Sequence, residues 1–288
     1  MQMKIFDDRY TYNEEIYYMH ENNLLTKIEN NFKGLKKIFL SFYENEYLFY
    51  REKITSLDFS SQKEEVFEEL CVLIDEYLIK IDELEEKYKI SSRAKIRSSF
   101  LEEINIYLFK NLLLIRKGKF IISNKNIFAG LQIDNQMNVK IISKDVDFCI
   151  GQKVILKIHN FQCFIIIPII CVEVKTYLDG TMLNEIQFAN QQIKNVVPNV
   201  KTYVLMEYNN VADEKIITAK NNNYINEMFV LRGKRQHNQL KNISIHTEVL
   251  LDYYREILTV LENINVKQDI NNTGRLFNTL TTKFKYNN

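Results

Sequence analysis

The sequence predicts an α/β fold of the α+β kind, in which helices flank a central mixed sheet and a helical region precedes it. Between about residues 10 and 115, apolar side chains recur every three or four positions, which is the period of a helix. From Gly118 onward the period falls to two, the period of a strand. A helix from Thr181 to about Val196 then leads into a further buried strand, and its apolar residues are expected to face the sheet.

The first 92 residues are expected to form an N-terminal helical region that serves packing, DNA binding or dimerisation. Two helical stripes support this, one from Leu25 to Phe42 and one from Leu70 to Tyr88. A break at Ser91–Ser92 starts a third helix, which opens a core domain predicted over residues 93–266. An Asn- and Thr-rich tail follows at residues 267–288.

The predicted strands of the core follow one another closely. An acidic strand that ends at Ile150 is expected to turn at Gly151–Gln152, and a second strand then covers residues 154–158. The next strand is long and apolar, and it runs to Lys175. Pro168 lies inside it, and proline has no N–H to donate, so we expect a bulge or an unpaired position there.

Composition narrows the possible functions. The chain has 288 residues and a formal net charge of +1, so nucleic-acid binding would require a local basic surface. No apolar stretch approaches the roughly 18–20 residues of a membrane span, and the N-terminus lacks the apolar segment of a signal peptide. We therefore expect a cytoplasmic protein without membrane contact. There is no glycine-rich phosphate loop, so no nucleotide cofactor is expected.

The long strand ends in two opposite charges, Glu173 and Lys175, which point to the same face because strand side chains alternate. An acidic stretch upstream contains Asp147, which could end on a neighbouring strand. Asp145 shares its face and remains a rival. A salt bridge at the end of a strand is the alternative interpretation of the Glu-x-Lys pattern.

These residue types suit phosphodiester hydrolysis. Mg²⁺ takes oxygen ligands and keeps several waters, so two carboxylates are enough to hold it beside a phosphate. We predict that Asp147 and Glu173 bind Mg²⁺ together with a main-chain carbonyl, that of Val174. Lys175 would lie beside the attacking water, where its charge favours hydroxide and offsets the phosphate.

These motifs resemble the PD-(D/E)xK superfamily, and more narrowly the type II restriction endonucleases of the Bpu10I type. The resemblance covers roughly residues 95–240 and rests on four stretches: residues 100–103, 144–148, 172–177 and 231–235. It implies a restriction-endonuclease-like core and a Mg²⁺-dependent type II site-specific deoxyribonuclease that cuts double-stranded DNA at a short sequence. Val146 stands where the family usually has proline, which leaves the choice between Asp145 and Asp147 open.

The resemblance also implies a helix glutamate near the metals, which fits Glu103 or its neighbour Glu102. On spacing alone, a solvated helix face is the alternative for this pair. Some enzymes of this type consist of two different subunits that each cut one strand. The chain is therefore expected to form a homodimer, or a heterodimer with a related subunit in which it nicks one strand.

A basic cluster beyond a later strand is a candidate for DNA reading. Arginine suits guanine, and asparagine or glutamine suits adenine, while lysine mostly binds phosphates. Two glutamines one turn apart on the helix after the motif, Gln187 and Gln191, are further candidates. The predicted DNA-binding residues are Arg232, Lys234, Arg235, Gln236 and Asn238. The alternatives in function are a repair or recombination nuclease that reads DNA structure, and a non-catalytic DNA- or protein-binding module.

Overall fold

The computed structural model of the chain describes residues 17–136, 138–158, 161–233 and 243–273. Its N-terminal part is helical, as predicted, and leads into the mixed sheet. In chain order, the helices are α1 Met19–Glu29, α2 Lys36–Phe42, α3 Leu48–Ser56, α4 Glu64–Lys87, α5 Ile96–Phe109, α6 Leu113–Arg116, α7 Gly180–Val196, α8 Asp213–Asn221 and α9 Thr247–Thr273.

The strands of the described part of the chain form one seven-stranded mixed sheet, which confirms the predicted fold class. They are β1 Ile121–Ser123, β2 Ile127–Ile133, β3 Val139–Lys144, β4 Phe148–Ile158, β5 Phe161–Leu178, β6 Lys201–Asn209 and β7 Glu227–Val230. The antiparallel part has the order β1-β4-β5, with β2 parallel to β5 and β3 antiparallel to β2. The C-terminal half of β5 pairs in parallel with β6, and α7 is the crossover between these two strands. β6 pairs in parallel with β7.

The turn predicted at Gly151–Gln152 is wrong, because β4 runs straight through it to Ile158. The bulge predicted at Pro168 is present: Gly151 pairs with Pro168 but Ile150 pairs with Ile170, so the register shifts there. A Cβ on Gly151 would lie 2.8 Å from the main-chain oxygen of Ile167. Glycine is therefore needed at this position for β4 to remain paired past the bulge.

The largest apolar cluster joins the N-terminal helices to one face of the sheet. It contains Leu24 of α1, Tyr77 of α4, Phe100 of α5, Ile170 of β5 and Tyr254 of α9. Helix α5 lies within this cluster, and nearly all of its residues are buried. The opposite face of the sheet packs against α7 in two smaller clusters. Among the described helices, none is both long and apolar enough to cross a membrane.

Candidate active site

The central feature of the site is the ammonium group of Lys175, which bridges two carboxylates. Its Nζ lies 2.7 Å from Asp147 Oδ2 and 2.8 Å from Glu173 Oε2. Glu173 and Lys175 are two residues apart on β5, so the alternation of the strand puts both side chains on one face. Each of the three side chains is about one fifth to one quarter exposed, and the group is therefore open to solvent on one side.

The position of Asp147 follows from the end of a strand ladder. β4 begins at Phe148, which pairs with Val172, so β4 offers no partner to β5 beyond that point. The carboxylate of Asp147 takes its place, and Oδ2 accepts the N–H of Val174 at 2.7 Å. In an extended strand the N–H and C=O of one residue point to the same side. The carbonyl of Val174 therefore also points toward Asp147.

The two carboxylates of this group lie close together in a partly buried site, and both burial and their mutual repulsion shift pKa values. Burial and the charge of Asp147 raise the pKa of Glu173 to about 7. Burial opposes the charged form of Lys175, but the carboxylates of Glu173 and Asp147 outweigh it and raise the pKa of this lysine. Lys175 is thus a stable cation at neutral pH, and it acts as an electrostatic partner of the carboxylates.

A third carboxylate comes from α5, and it belongs to Glu102. Burial raises the pKa of Glu102 to about 8, and the charge of Asp147 contributes further in the same direction. The charges of Lys175 and Glu173 also act on it. Glu102 is only 8% exposed, so the solvated helix face considered from sequence is wrong for this residue.

Glu103, which the sequence favoured, points the other way, into the layer of N-terminal helices. Its Oε1 accepts the hydroxyls of Tyr47 at 2.9 Å and Tyr107 at 2.5 Å. Its Oε2 accepts the main-chain N–H groups of His20 and Glu21. With no exposed surface and both oxygens occupied in this way, Glu103 is a structural residue, and the prediction of a site role for it is corrected in favour of Glu102.

The remaining alternates do not join the group. Asp145 is exposed, and its Oδ1 accepts the N–H of Asn126. On α7, Gln187 accepts a hydrogen bond from Asn222, and Gln191 donates one to Tyr224. The two glutamines therefore tie α7 to the chain around the end of α8.

Arg232 is buried rather than placed at a DNA surface, so its predicted role in DNA reading is corrected. Its Nε donates to Glu207 at 2.9 Å, its Nη2 forms an ion pair with Asp75, and its Nη1 donates to the main-chain oxygen of Ile243. Glu207 is fully buried and also binds Arg97 through two hydrogen bonds. Lys234, Arg235, Gln236 and Asn238 lie outside the described residues.

Sequence reasoning missed Lys144 at the end of β3. Burial lowers the pKa of this lysine, and the charge of Glu173 opposes that effect, so the two side chains lie within electrostatic reach. The Nζ of Lys144 also lies 6.0 Å from the ring centroid of Phe188 on α7. The sequence does contain a signal for Lys144: it is four residues from Lys140, and within one strand this spacing puts both lysines on one face.

The donor set suits a hard divalent cation. Asp147, Glu173 and Glu102 supply carboxylates, and Val174 supplies a carbonyl on the same side, so every candidate ligand is oxygen. Among the described residues, Asp147, Glu173 and Glu102 are not close enough together to form a three-ligand metal group. The oxygens of Asp147, Glu173 and Val174 are of the kind that an ion such as Mg²⁺ takes, which keeps several waters and needs few protein ligands.

Comparison with known proteins agrees with this description of the fold. One chain of the native BbvCI A2B2 tetramer superposes with a TM-score of 0.71 at 19% identity, over 87% of this chain and 98% of that one. The Bpu10I restriction endonuclease family matches residues 93–279, which is more than half of the chain. Among curated proteins, no match was found.

The fold therefore defines a protein of the restriction-endonuclease-like class, with its acidic group at the end of the β4–β5 ladder. More narrowly, the chain belongs to the Bpu10I restriction endonuclease family, and so to the DNA-cleaving nucleases.

Proposed function

We propose that the protein is a Mg²⁺-dependent type II restriction endonuclease that hydrolyses phosphodiester bonds in double-stranded DNA at a short specific sequence. The observation that carries this is the Asp147–Lys175–Glu173 group at the end of the β4–β5 ladder, in a chain of a restriction endonuclease family. Strand alternation predicted that Glu173 and Lys175 share a face, and the contacts between these side chains support their proposed roles.

In this proposal Asp147, Glu173 and the carbonyl of Val174 hold the cation, with Glu102 as a further carboxylate close by. The cation would supply charge stabilisation at the phosphate and activation of a water. Lys175 keeps its positive charge at neutral pH, so it offsets the negative charge that builds up on the phosphate oxygens. The raised pKa values of Glu173 and Glu102 reflect burial and, after it, repulsion from Asp147, and a bound cation would relieve that repulsion.

A proposed partner is a second, related subunit. The similar chain comes from an assembly described as an A2B2 tetramer, and this supports a heteromeric arrangement. In the proposed heteromer, as the family resemblance implies, each kind of chain cuts one DNA strand. The proposed DNA readers remain Lys234, Arg235, Gln236 and Asn238 of the basic segment.

The test is digestion of a long DNA with Mg²⁺, followed by sequencing of the ends. We expect ends that share one short sequence, made by the protein alone or with its related subunit. Nicked circles rather than linear plasmid from the chain alone would assign it the single-strand cut. Ends without a common sequence would favour a nuclease that reads DNA structure, and an inert protein in both settings would contradict the nuclease proposal.

The variant Lys175→Ala tests the chemistry directly. We expect cleavage to fall by about two to three orders of magnitude, because a charge that stabilises the transition state is lost. Lys220→Ala, at an exposed position on α8, is the matched control and should cleave like the wild type. For Lys175→Ala, the DNA affinity without metal and the melting temperature should stay near the wild-type values. A Lys175→Ala protein with full activity would leave the Glu-x-Lys pattern as a salt bridge only.

A further inference from the structure

A basic surface lies on the part of the sheet beyond the bulge, which we call the sheet extension: β3, residues 151–157 of β4 and residues 162–168 of β5. The strand register fixes which side chains share a face. Ile127 of β2 pairs with both Lys144 and Ile166, and Ile166 pairs in turn with Lys153. Paired residues point to the same face, so Lys144 and Lys153 lie on one face of the sheet.

Alternation along each strand extends this set. Lys140 is four residues from Lys144 on β3, and Lys157 is four residues from Lys153 on β4. Four residues are two full strand repeats, so each lysine keeps the face of its neighbour. The four lysines of β3 and β4 therefore form one surface, which we call the lysine face.

The lysine face is continuous with the candidate active site. Ile127 packs against Ile193 of α7, and Lys144 lies over Phe188 of the same helix, so this is the side of the sheet that α7 covers. On β5, Cys171 belongs to the same apolar cluster as Ile127 and Ile193, and Glu173 and Lys175 are two and four residues further along, so they share this face. The charge of Glu173 acts on Lys144, so of the four lysines Lys144 is within electrostatic range of the acidic group.

The two faces of the sheet extension differ sharply in charge. The lysine face carries no aspartate or glutamate within these stretches of strand. The opposite face carries no charged side chain there at all; its residues are Val139, Ile141, Ser143, Gln152, Val154, Leu156, Cys163, Ile165 and Ile167. Lysines that served only solubility would occur on either face, so the segregation indicates an acidic partner on one side.

Exposed apolar rings and chains lie between the lysines. Phe164 is 56% exposed and Ile155, its partner across the β4–β5 ladder, is 49% exposed. The Nζ of Lys153 lies 4.4 Å from the centroid of the Phe164 ring. This contact is a cation–π pair at an exposed site.

We propose that the lysine face binds the sugar–phosphate backbone of duplex DNA next to the cleaved bond. From Phe148, next to Asp147, to Lys157 the strand β4 extends about 30 Å, which corresponds to about nine base pairs of duplex. Lysines contact phosphates without reading bases, so this surface supplies affinity and register rather than sequence recognition. The inference rests on the proposed nuclease function, because the acidic site at one end of the face defines where the DNA passes.

The test compares two triple variants with the same change in net charge. The first is Lys140→Gln, Lys153→Gln and Lys157→Gln, and it leaves Lys144 intact because that residue is close to the acidic site. The control is Lys36→Gln, Lys37→Gln and Lys63→Gln, at exposed positions of the N-terminal helical region. Affinity for a 40-base-pair duplex is measured without divalent metal across a range of salt, and a thermal melt checks folding of each protein.

We expect the slope of log affinity against log salt to become shallower by about three in the first variant, because three phosphate contacts are lost. The dissociation constant should rise at least tenfold near physiological salt, while the control keeps the wild-type slope. A first variant with the wild-type slope and affinity would overturn the proposal. So would a wild type with no affinity for duplex DNA, or a variant in which only the oligomeric state changes, since the face would then be a protein interface.

The nuclease proposal fails by a different outcome. A wild type that binds duplex DNA through these lysines but never cleaves it, alone or with its related subunit, would contradict the catalytic assignment. If the wild type cleaves DNA and the first variant binds DNA normally, only the proposal that the lysine face binds the DNA backbone is overturned.

Discussion

At the scale of single residues, the neighbours Glu102 and Glu103 show what sequence can and cannot provide. Strand alternation was enough to put Glu173 and Lys175 on one face, since that geometry is local. Successive residues of a helix point about 100° apart, so one of two adjacent glutamates reaches the site and the other faces away. The choice depends on which side of α5 meets the sheet, and that is set by packing with distant parts of the chain.

The two glutamates should therefore give opposite results when each is changed to glutamine. Glu102→Gln should lower Mg²⁺-dependent cleavage by about 10- to 100-fold, as for groups that support a metal site, with little change in stability. Glu103→Gln should lower the free energy of unfolding by about 1–3 kcal/mol, because an amide N–H₂ would then face N–H or O–H donors. Cleavage rates and urea denaturation measure both effects. A stable, fully active Glu102→Gln protein would contradict the assignment.

Arg232 is a residue for which the sequence predicts a surface position and the structure shows a buried one. Beside Gly233 and a run of basic residues it looks like a surface arginine that reads DNA. Its partners, Asp75 and Glu207, are far away in sequence, so nothing nearby indicates that it is buried. Long-range ion pairs of this kind are invisible to a reading of neighbouring residues.

At the scale of elements, α5 is the helix that links the N-terminal helices to the site. On one side it binds α1 through a buried network in which His20 contacts Ser99 at 2.9 Å and Tyr77 of α4 at 2.8 Å. On another side Arg97 binds Glu207 of β6. The sequence predicted a helix here from apolar period and a break at Ser91–Ser92. It did not predict that α5 is buried on nearly all sides. Polar residues in a helix are expected to face solvent, and the partners that bury them here come from distant parts of the chain.

The buried junction of α1 and α5 makes stability depend on pH through His20. Burial, with a contribution from the charge of Lys27, lowers the pKa of His20 to about 3. The unfolded chain has the ordinary value of about 6.5 and so binds the proton first as pH falls. The stabilising effect is complete above about pH 6.5 and is lost progressively down to about pH 3.

We therefore expect the wild type to lose unfolding free energy relative to His20→Gln as the pH falls below about 6.5. The slope should exceed that of His20→Gln by up to about 1.4 kcal/mol per pH unit. Denaturation at pH values between about 6.5 and 4.5 compares the two proteins. Glu173 and Glu102, whose raised pKa values stabilise the folded state as the pH falls, contribute equally to both proteins and cancel in the difference. Parallel curves for wild type and variant would show that His20 titrates normally in the folded protein.

At the scale of the whole molecule, the helical region and the nuclease core share one interior. The cluster that begins with Leu24 in α1 continues through Phe100 of α5 to Leu261 of α9. Sequence predicted the two regions and a boundary near residue 92 from the change of pattern. It could not show that apolar side chains on both sides of that boundary pack together, since contact across a boundary leaves no periodic signal.

Separating the two regions should unfold the core. A fragment of residues 93–288 would expose Ile96, Phe100 and Tyr107, and Glu103 would lose the donors that come from α1 and from Tyr47. We expect an insoluble product, or one without a cooperative thermal transition by circular dichroism. Coexpression of residues 1–92 as a separate chain should restore solubility. A fragment that melts cooperatively on its own would show that the helices are a dispensable addition.

Glu102 and Glu103 point to different sides of α5, and this restricts which sequence changes the helix can accept. Replacing its apolar residues with others of similar size changes only packing, and cores tolerate such swaps well. Adding or removing one residue between Ser99 and Glu103 would instead rotate the following turn by about 100° and send the wrong carboxylate to each side. Homologous subunits should therefore differ freely in the apolar residues of this helix but keep its length and its two glutamates. A designer grafting a new N-terminal layer should likewise preserve the number of residues between Ser99 and Glu103.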